Sequence, residues 1–179
     1  MHEEYIDVCT EDGTPTGEVK TRKEVHEKGL WHRSVHVWFV NSSKEVLLQQ
    51  RSFEKESYPG MWDISAAGHM SAGDEPIAAA VRETKEEIGI TIAPTELMHI
   101  GTYKHMATLN NGIYICNGIK EVYVVHKDLP VDTFSFDDGE VAKVLWIPVA
   151  ELAARVESGD PTIVECIEEH RMLFSYLNR

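Results

Sequence analysis

Between Gly68 and Ile90 the chain runs Gly68, five residues, Asp74, seven residues, and then Arg82-Glu83-Thr84-Lys85-Glu86-Glu87-Ile88-Gly89-Ile90. Asp74 can cap a helix whose first turn tolerates Pro76, and Gly89 can end that helix by taking the left-handed conformation other residues avoid. Ile77, Val81, Thr84 and Ile88 recur on one face of it, spaced to pack on a sheet. Glu83, Glu86 and Glu87 stand at i, i+3 and i+4, so their carboxylates project together from the opposite side. Each like-charged pair costs roughly 0.2 to 0.5 kcal/mol, a penalty that solvent screens easily. Three glutamates alone would therefore mark an ordinary solvated face.

The rest of the sequence supplies the sheet. Tyr5 to Cys9 reads as a strand, Asp12-Gly13 and Thr16-Gly17 as turns, and Thr21 to Glu27 as a short polar helix. Val35 to Val40 and Val46 to Gln50 form strands joined across Asn41 to Lys44 as a hairpin. Leu97 to Tyr103, Ile113 to Val125 and Val144 to Ile147 are further strands, the second broken near Asn117-Gly118. Val149 to Glu157 reads as a helix, and Ile163, Cys166, Ile167, His170, Leu173, Phe174 and Leu177 make an apolar stripe of core character near the carboxy end. Strands with helices on both faces predict an α/β fold, an α/β/α sandwich around a mixed β-sheet. The acidic loop from Asp132 to Glu140 is followed by an apolar strand that completes the same core, so residues 1 to 179 are expected to form one domain.

Charge narrows the partners. Thirty acidic against seventeen basic side chains give a net charge of -13, which repels a nucleic-acid polymer and an anionic membrane surface. A small phosphate compound would be repelled too, unless bound cations reverse the field locally. No apolar run approaches the ~20 residues of a membrane span. Met1 to Tyr5 lacks the pattern of a secretion signal. Cys9, Cys116 and Cys166 are odd in number and widely spaced, which fits a reducing cytoplasm.

The run from Gly68 to Ile90 resembles the Nudix signature G-x5-E-x7-R-E-U-x-E-E-x-G-U, departing only where Asp74 replaces a glutamate. Six strict positions match; at ~6% per residue type, chance would produce this on the order of once in 100,000 chains of this length. The resemblance implies a Nudix-type sandwich and a hydrolase of a small-molecule diphosphate. It implies divalent cations, Mg²⁺ or Mn²⁺, held by Gly68, Glu83, Glu86 and Glu87, with Arg82 orienting the carboxylates. Glu86 is then a candidate base. Glu121 and Glu140 are candidates outside the helix, and Glu121 also stands where family members often add an acidic metal ligand.

Leu47 to Trp62 and His32 to Trp38 resemble the branch that contains isopentenyl-diphosphate isomerases and hydrolases close to them. By that resemblance Arg51 and Lys55 are a basic pair for the diphosphate. The isomerases need a cysteine immediately before the Gly-His or Ser-His pair, and this chain has Ala67, which carries no proton to transfer. Their metal site uses three histidines and two glutamates. Here His32, His69 and Glu121 match, His26 matches with a one-residue offset, and Ile119 replaces a glutamate. Hydrolysis is therefore the leading expectation, with isomerase activity and a non-catalytic binding module as the alternatives. Whether His26, His32 and His69 form a second metal site and whether the chain is a homodimer stay open.

Overall fold

The structure is a computed structural model that describes residues 3–55, 57–136 and 139–178. Met1, His2 and part of the acidic loop before Glu140 lie outside the described residues. Among the described residues nine strands and four α-helices follow in the order β1 (Tyr5–Cys9), β2 (Pro15–Thr21), α1 (Arg22–Lys28), β3 (Trp31–Val40), β4 (Glu45–Arg51), β5 (Trp62–Asp63), β6 (Ala66–His69), α2 (Pro76–Ile88), β7 (Met98–Leu109), β8 (Tyr114–His126), β9 (Val141–Pro148), α3 (Val149–Glu157) and α4 (Ile167–Leu177).

Seven of these strands make one mixed sheet. β3 runs parallel to β8, while β7 and β8, β3 and β6, and β4 and β9 pair antiparallel. β3 and β4 form the expected hairpin, but they meet only at Val40 and Val46 before they splay apart. β6 then pairs with β3, and β5 with β4. The buried Ser65 hydroxyl bridges the split by donating to Leu47 O at 2.6 Å and accepting from Phe39 N at 2.8 Å. Both short strands escape the sequence reading because neither is long enough to show a period-2 pattern.

Alternate residues of the central strands serve two cores. Val35, Val37, Phe39, Tyr123 and Val125 face Ala79, Ala80 and Ile88 of α2. Trp38, Val40, Val122 and Val124 face Leu152 of α3 and Leu173 of α4. The result is the expected α/β/α sandwich. Among the described residues no helix is long and apolar enough to cross a membrane.

Several local expectations are corrected. Thr16-Gly17 is not a turn but lies inside β2, where a bulge opposite Asp7 to Cys9 absorbs the extra length. β8 runs unbroken through Asn117-Gly118, because these residues pair with Trp31 and His32 of β3 and with Met106 and His105 of β7. β7 extends six residues past Tyr103. The cap of α2 is Glu75, not Asp74, whose carboxylate binds Ser71 N–H and Arg82 instead. Ile77 is 44% exposed, and the small residues Ala79 and Ala80 take its expected place against the sheet. Ile163 and Cys166 precede α4 and Ile167 is exposed, so the carboxy-terminal stripe is shorter than expected.

Candidate active site

The site forms where β6 meets α2. Glu83 and Glu87, one helical turn apart, do not lie opposite the apolar stripe but inside the buried side of α2, next to Thr84 and Ile88. Only Glu86 of the three glutamates is exposed. Gly68 is what allows this, since a Cβ there would overlap the Glu83 carboxylate. Strand and helix can thus approach closely with an acid between them.

Arg82 ties the acids together. Its guanidinium donates to Glu83 at 2.6 Å, to Glu86 and Asp74 at 3.0 Å, and to the His69 carbonyl at 3.1 Å. Asp74 therefore acts as a salt-bridge partner. Glu87 accepts from Ala67 N–H at 2.8 Å and from Gln49 Nε2 at 3.0 Å. Burial pushes the Glu83 carboxyl up to about 7 and that of Glu87 up to about 8. Two buried carboxylates facing each other are poorly solvated as anions, and a hard cation with oxygen ligands relieves that cost.

These acids line a cavity of about 490 Å³, within the range of small-molecule sites. Arg51 and Lys55 line it as well, and each has a partner. Arg51 contacts Asp63 at 3.1 Å and the carbonyl of Ser57 at 2.9 Å, while Lys55 pairs with Glu140 at 2.8 Å. Burial opposes ionisation of Glu140, but the Lys55 bond and charge outweigh it and hold the carboxyl below its ordinary value. Glu140 also acts electrostatically on Glu87.

Glu121 is placed elsewhere. It alternates with Lys120 along β8, and it is Lys120 that lines the cavity. Glu121 is held by Arg33 at 2.6 Å, Thr102 at 2.8 Å and His99 at 3.0 Å, residues that do not line the cavity. His26, His32 and His69 do come together, with ring centroids 4.9 to 5.2 Å apart. His26 and His32 donate from Nδ1 to the carbonyls of Arg22 and Leu30, and their Nε2 atoms are buried without a partner among the described residues. One ring nitrogen of each and Cys116 Sγ lie within 4.8 Å of one another. Burial holds His26 down to about 4 and His32 down to about 3, and the Lys120 charge adds to both shifts. That same charge opposes a cation among these rings.

The sequence reading missed Ser34, His36 and Lys120, which with Tyr103 make the cavity's inner wall. Behind it Glu169 is fully buried and accepts from His36 Nδ1 at 2.7 Å and from Trp38 Nε1 and the Tyr103 hydroxyl at 2.8 Å. Burial alone would raise this carboxyl, but the His36 charge and the three donors bring it below its ordinary value. The available signal was alternation, because the polar residues His32, Ser34 and His36 recur at every second position of β3.

Comparison with known proteins identifies the family and the fold. The NUDIX domain family matches residues 30–167. Nudix hydrolase 3 of Arabidopsis thaliana is 40% identical over 167 residues, 92% of this chain, although the chain spans only 22% of that protein's length. An uncharacterised Nudix hydrolase of Clostridium acetobutylicum is 36% identical over 86% of this chain and 74% of its own. The isopentenyl-diphosphate Delta-isomerase of Rhodobacter capsulatus is 33% identical over 84% of this chain and 86% of its own. In fold, the crystal structure of DR0079 from Deinococcus radiodurans superposes with a TM-score of 0.69 at 20% identity, covering 97% of this chain and 99% of that one. Domain match, homologues and fold agree: the chain belongs to the Nudix hydrolase family, close to the branch that holds the isopentenyl-diphosphate isomerases.

Proposed function

We propose that this protein hydrolyses the phosphoanhydride of a nucleoside diphosphate derivative or another small organic diphosphate, using Mg²⁺ or Mn²⁺. The observation that carries the reading is the pair of buried carboxylates, Glu83 and Glu87, converging with Gly68 on one cavity. Family members use divalent cations, and an all-oxygen donor set of poorly solvated acids fits a hard cation. Glu83, Glu86, Glu87 and the Gly68 carbonyl are the ligands in this reading. Such a cation, when bound, neutralises the diphosphate oxygens and acidifies a water.

The remaining work falls to the protein. Arg82 keeps Glu83 and Glu86 oriented through two ionic hydrogen bonds. Arg51 and Lys55 hold the diphosphate by exchanging their contacts with Asp63 and Glu140 for phosphate oxygens. Once Lys55 turns to the phosphate, Glu140 is the candidate to take the proton of the attacking water, with Glu86 as the alternative base. Glu121, ion-paired away from the cavity, is left out of this machinery. Ala67 presents a backbone N–H to Glu87 and no side-chain acid to the cavity, which disfavours double-bond isomerisation.

We also read residues 1–179 as one domain, since Ile6 of β1 bridges to Ser71 outside the sheet and Ala72 N–H donates to Tyr5 O. The net charge and the size of the cavity favour a small molecule over a nucleic-acid polymer. Three free cysteines fit the cytoplasm. The test is phosphate or nucleotide release from a panel of diphosphates with Mg²⁺ and with Mn²⁺. The expected result is metal-dependent release, lost on chelation; double-bond migration in isopentenyl diphosphate with solvent deuterium uptake would favour the isomerase instead.

A further inference from the structure

The cavity has a second polar end that neither the acidic helix nor the Arg51 and Lys55 pair uses. Ser34 on β3 pairs with Lys120 on β8, and Lys120 pairs with Tyr103 on β7, so the three lie on one rung of the sheet. Side chains on a rung share a face, and all three line the cavity. His36, two residues further along β3, adds to the same wall, and Glu169 fixes its ring through Nδ1.

Two groups in this wall lack partners. Lys120 is only 8% exposed and makes no hydrogen bond or ion pair among the described residues. Ser34 Oγ is buried and unpartnered among them, in a residue 2% exposed. The nearby carboxylates are already committed, Glu169 to His36, Trp38 and Tyr103, and Asp63 to Arg51. The surrounding imidazoles of His26, His32 and His105 are kept uncharged chiefly by burial, with the Lys120 charge adding to each shift. The Lys120 ammonium therefore has no counter-ion among the described residues. Such a group is costly to bury alone and binds an oxyanion strongly when one arrives.

We propose that Lys120 and Ser34, walled by His36, form an oxyanion subsite for a phosphoryl group on the organic part of the substrate, separate from the diphosphate held at the acidic helix. The substrate class is then a diphosphate that carries a second, distal phosphate, rather than one with an apolar tail. Calling this ligand a substrate rests on the hydrolase reading above; the binding of the anion does not.

Inorganic phosphate titrated into the whole metal-free chain, followed by the amide NMR signals of Ser34 and Lys120, tests the subsite. Wild-type signals should move and saturate, Lys120→Met should weaken that binding at least about tenfold, and Lys120→Arg should largely restore it. Ser34→Ala should weaken it as well, which guards against a folding defect in one variant. Acetate at equal concentration should leave both signals in place; equal binding of acetate would overturn the phosphoryl assignment. Signals that never move, or that move alike in wild type and Lys120→Met, would overturn the subsite. No metal or turnover enters this measurement, so a failed hydrolysis screen and a failed phosphate titration are separate results.

Discussion

Glu87 shows how far one side chain's setting can depart from its type. It sits beside Glu83 in the protein interior, tied to Gln49 and to the Ala67 amide. In the metal-free protein at pH 8.5, Glu87→Gln should therefore stabilise the fold, on the order of 1 kcal/mol or more, because it removes the charge and keeps an acceptor. Urea unfolding with chelator present measures this. Gly68→Ala should do the reverse: its methyl would displace the Glu83 carboxylate, costing about 1 to 3 kcal/mol of stability and weakening metal binding. The spacing of Gly68, Arg82 and the glutamates is local, so it was legible in the sequence. That Glu83 and Glu87 are buried was not, because their burial comes from β6, a four-residue strand that leaves no periodic trace.

At the scale of elements, Glu169 is the pin between α4 and the sheet. Three donors from β3 and β7 converge on it. Glu169→Ala would leave those donors unpaired in the interior, and the expected loss is roughly 3 to 5 kcal/mol, read as a lower urea midpoint with an unchanged slope. An unshifted midpoint would show that the pin carries no stability. α4 was legible as a core helix from Leu173 and its neighbours, yet nothing local marked Glu169 apart from the exposed Glu168 beside it. The same limit explains Glu121 and Lys120. Lys120 and Glu121 are adjacent, one on each face of a strand whose following residues, Val122 to Val125, are apolar on both faces, so alternation could not say which residue meets the cavity. Pairing with Ser34 on one side and Tyr103 on the other decides it.

For the whole molecule, buried acids and buried histidines set opposite pH limits on stability. Glu83 and Glu87 are raised from 4.5 to about 7 and about 8, so the folded chain holds protons that the unfolded chain releases. Stability from these groups is present at low pH and is lost as pH rises through 7 and 8. His26 and His32 are lowered from 6.5, so their contribution is present above 6.5 and is lost as pH falls toward 4 and 3. The metal-free protein should therefore lose on the order of a few kcal/mol between pH 6.5 and 8.5. Saturating Mg²⁺ should abolish that loss, since the cation takes the place of the protons, and a thermal melt series with and without chelator checks it. The most direct test of the account is phosphate release from the diphosphate panel with Mg²⁺, comparing wild type with Glu87→Gln. Release should be metal-dependent and should fall roughly 100-fold or more in the variant. An unchanged rate in Glu87→Gln, or tight ligand binding with no turnover of any diphosphate, would contradict it.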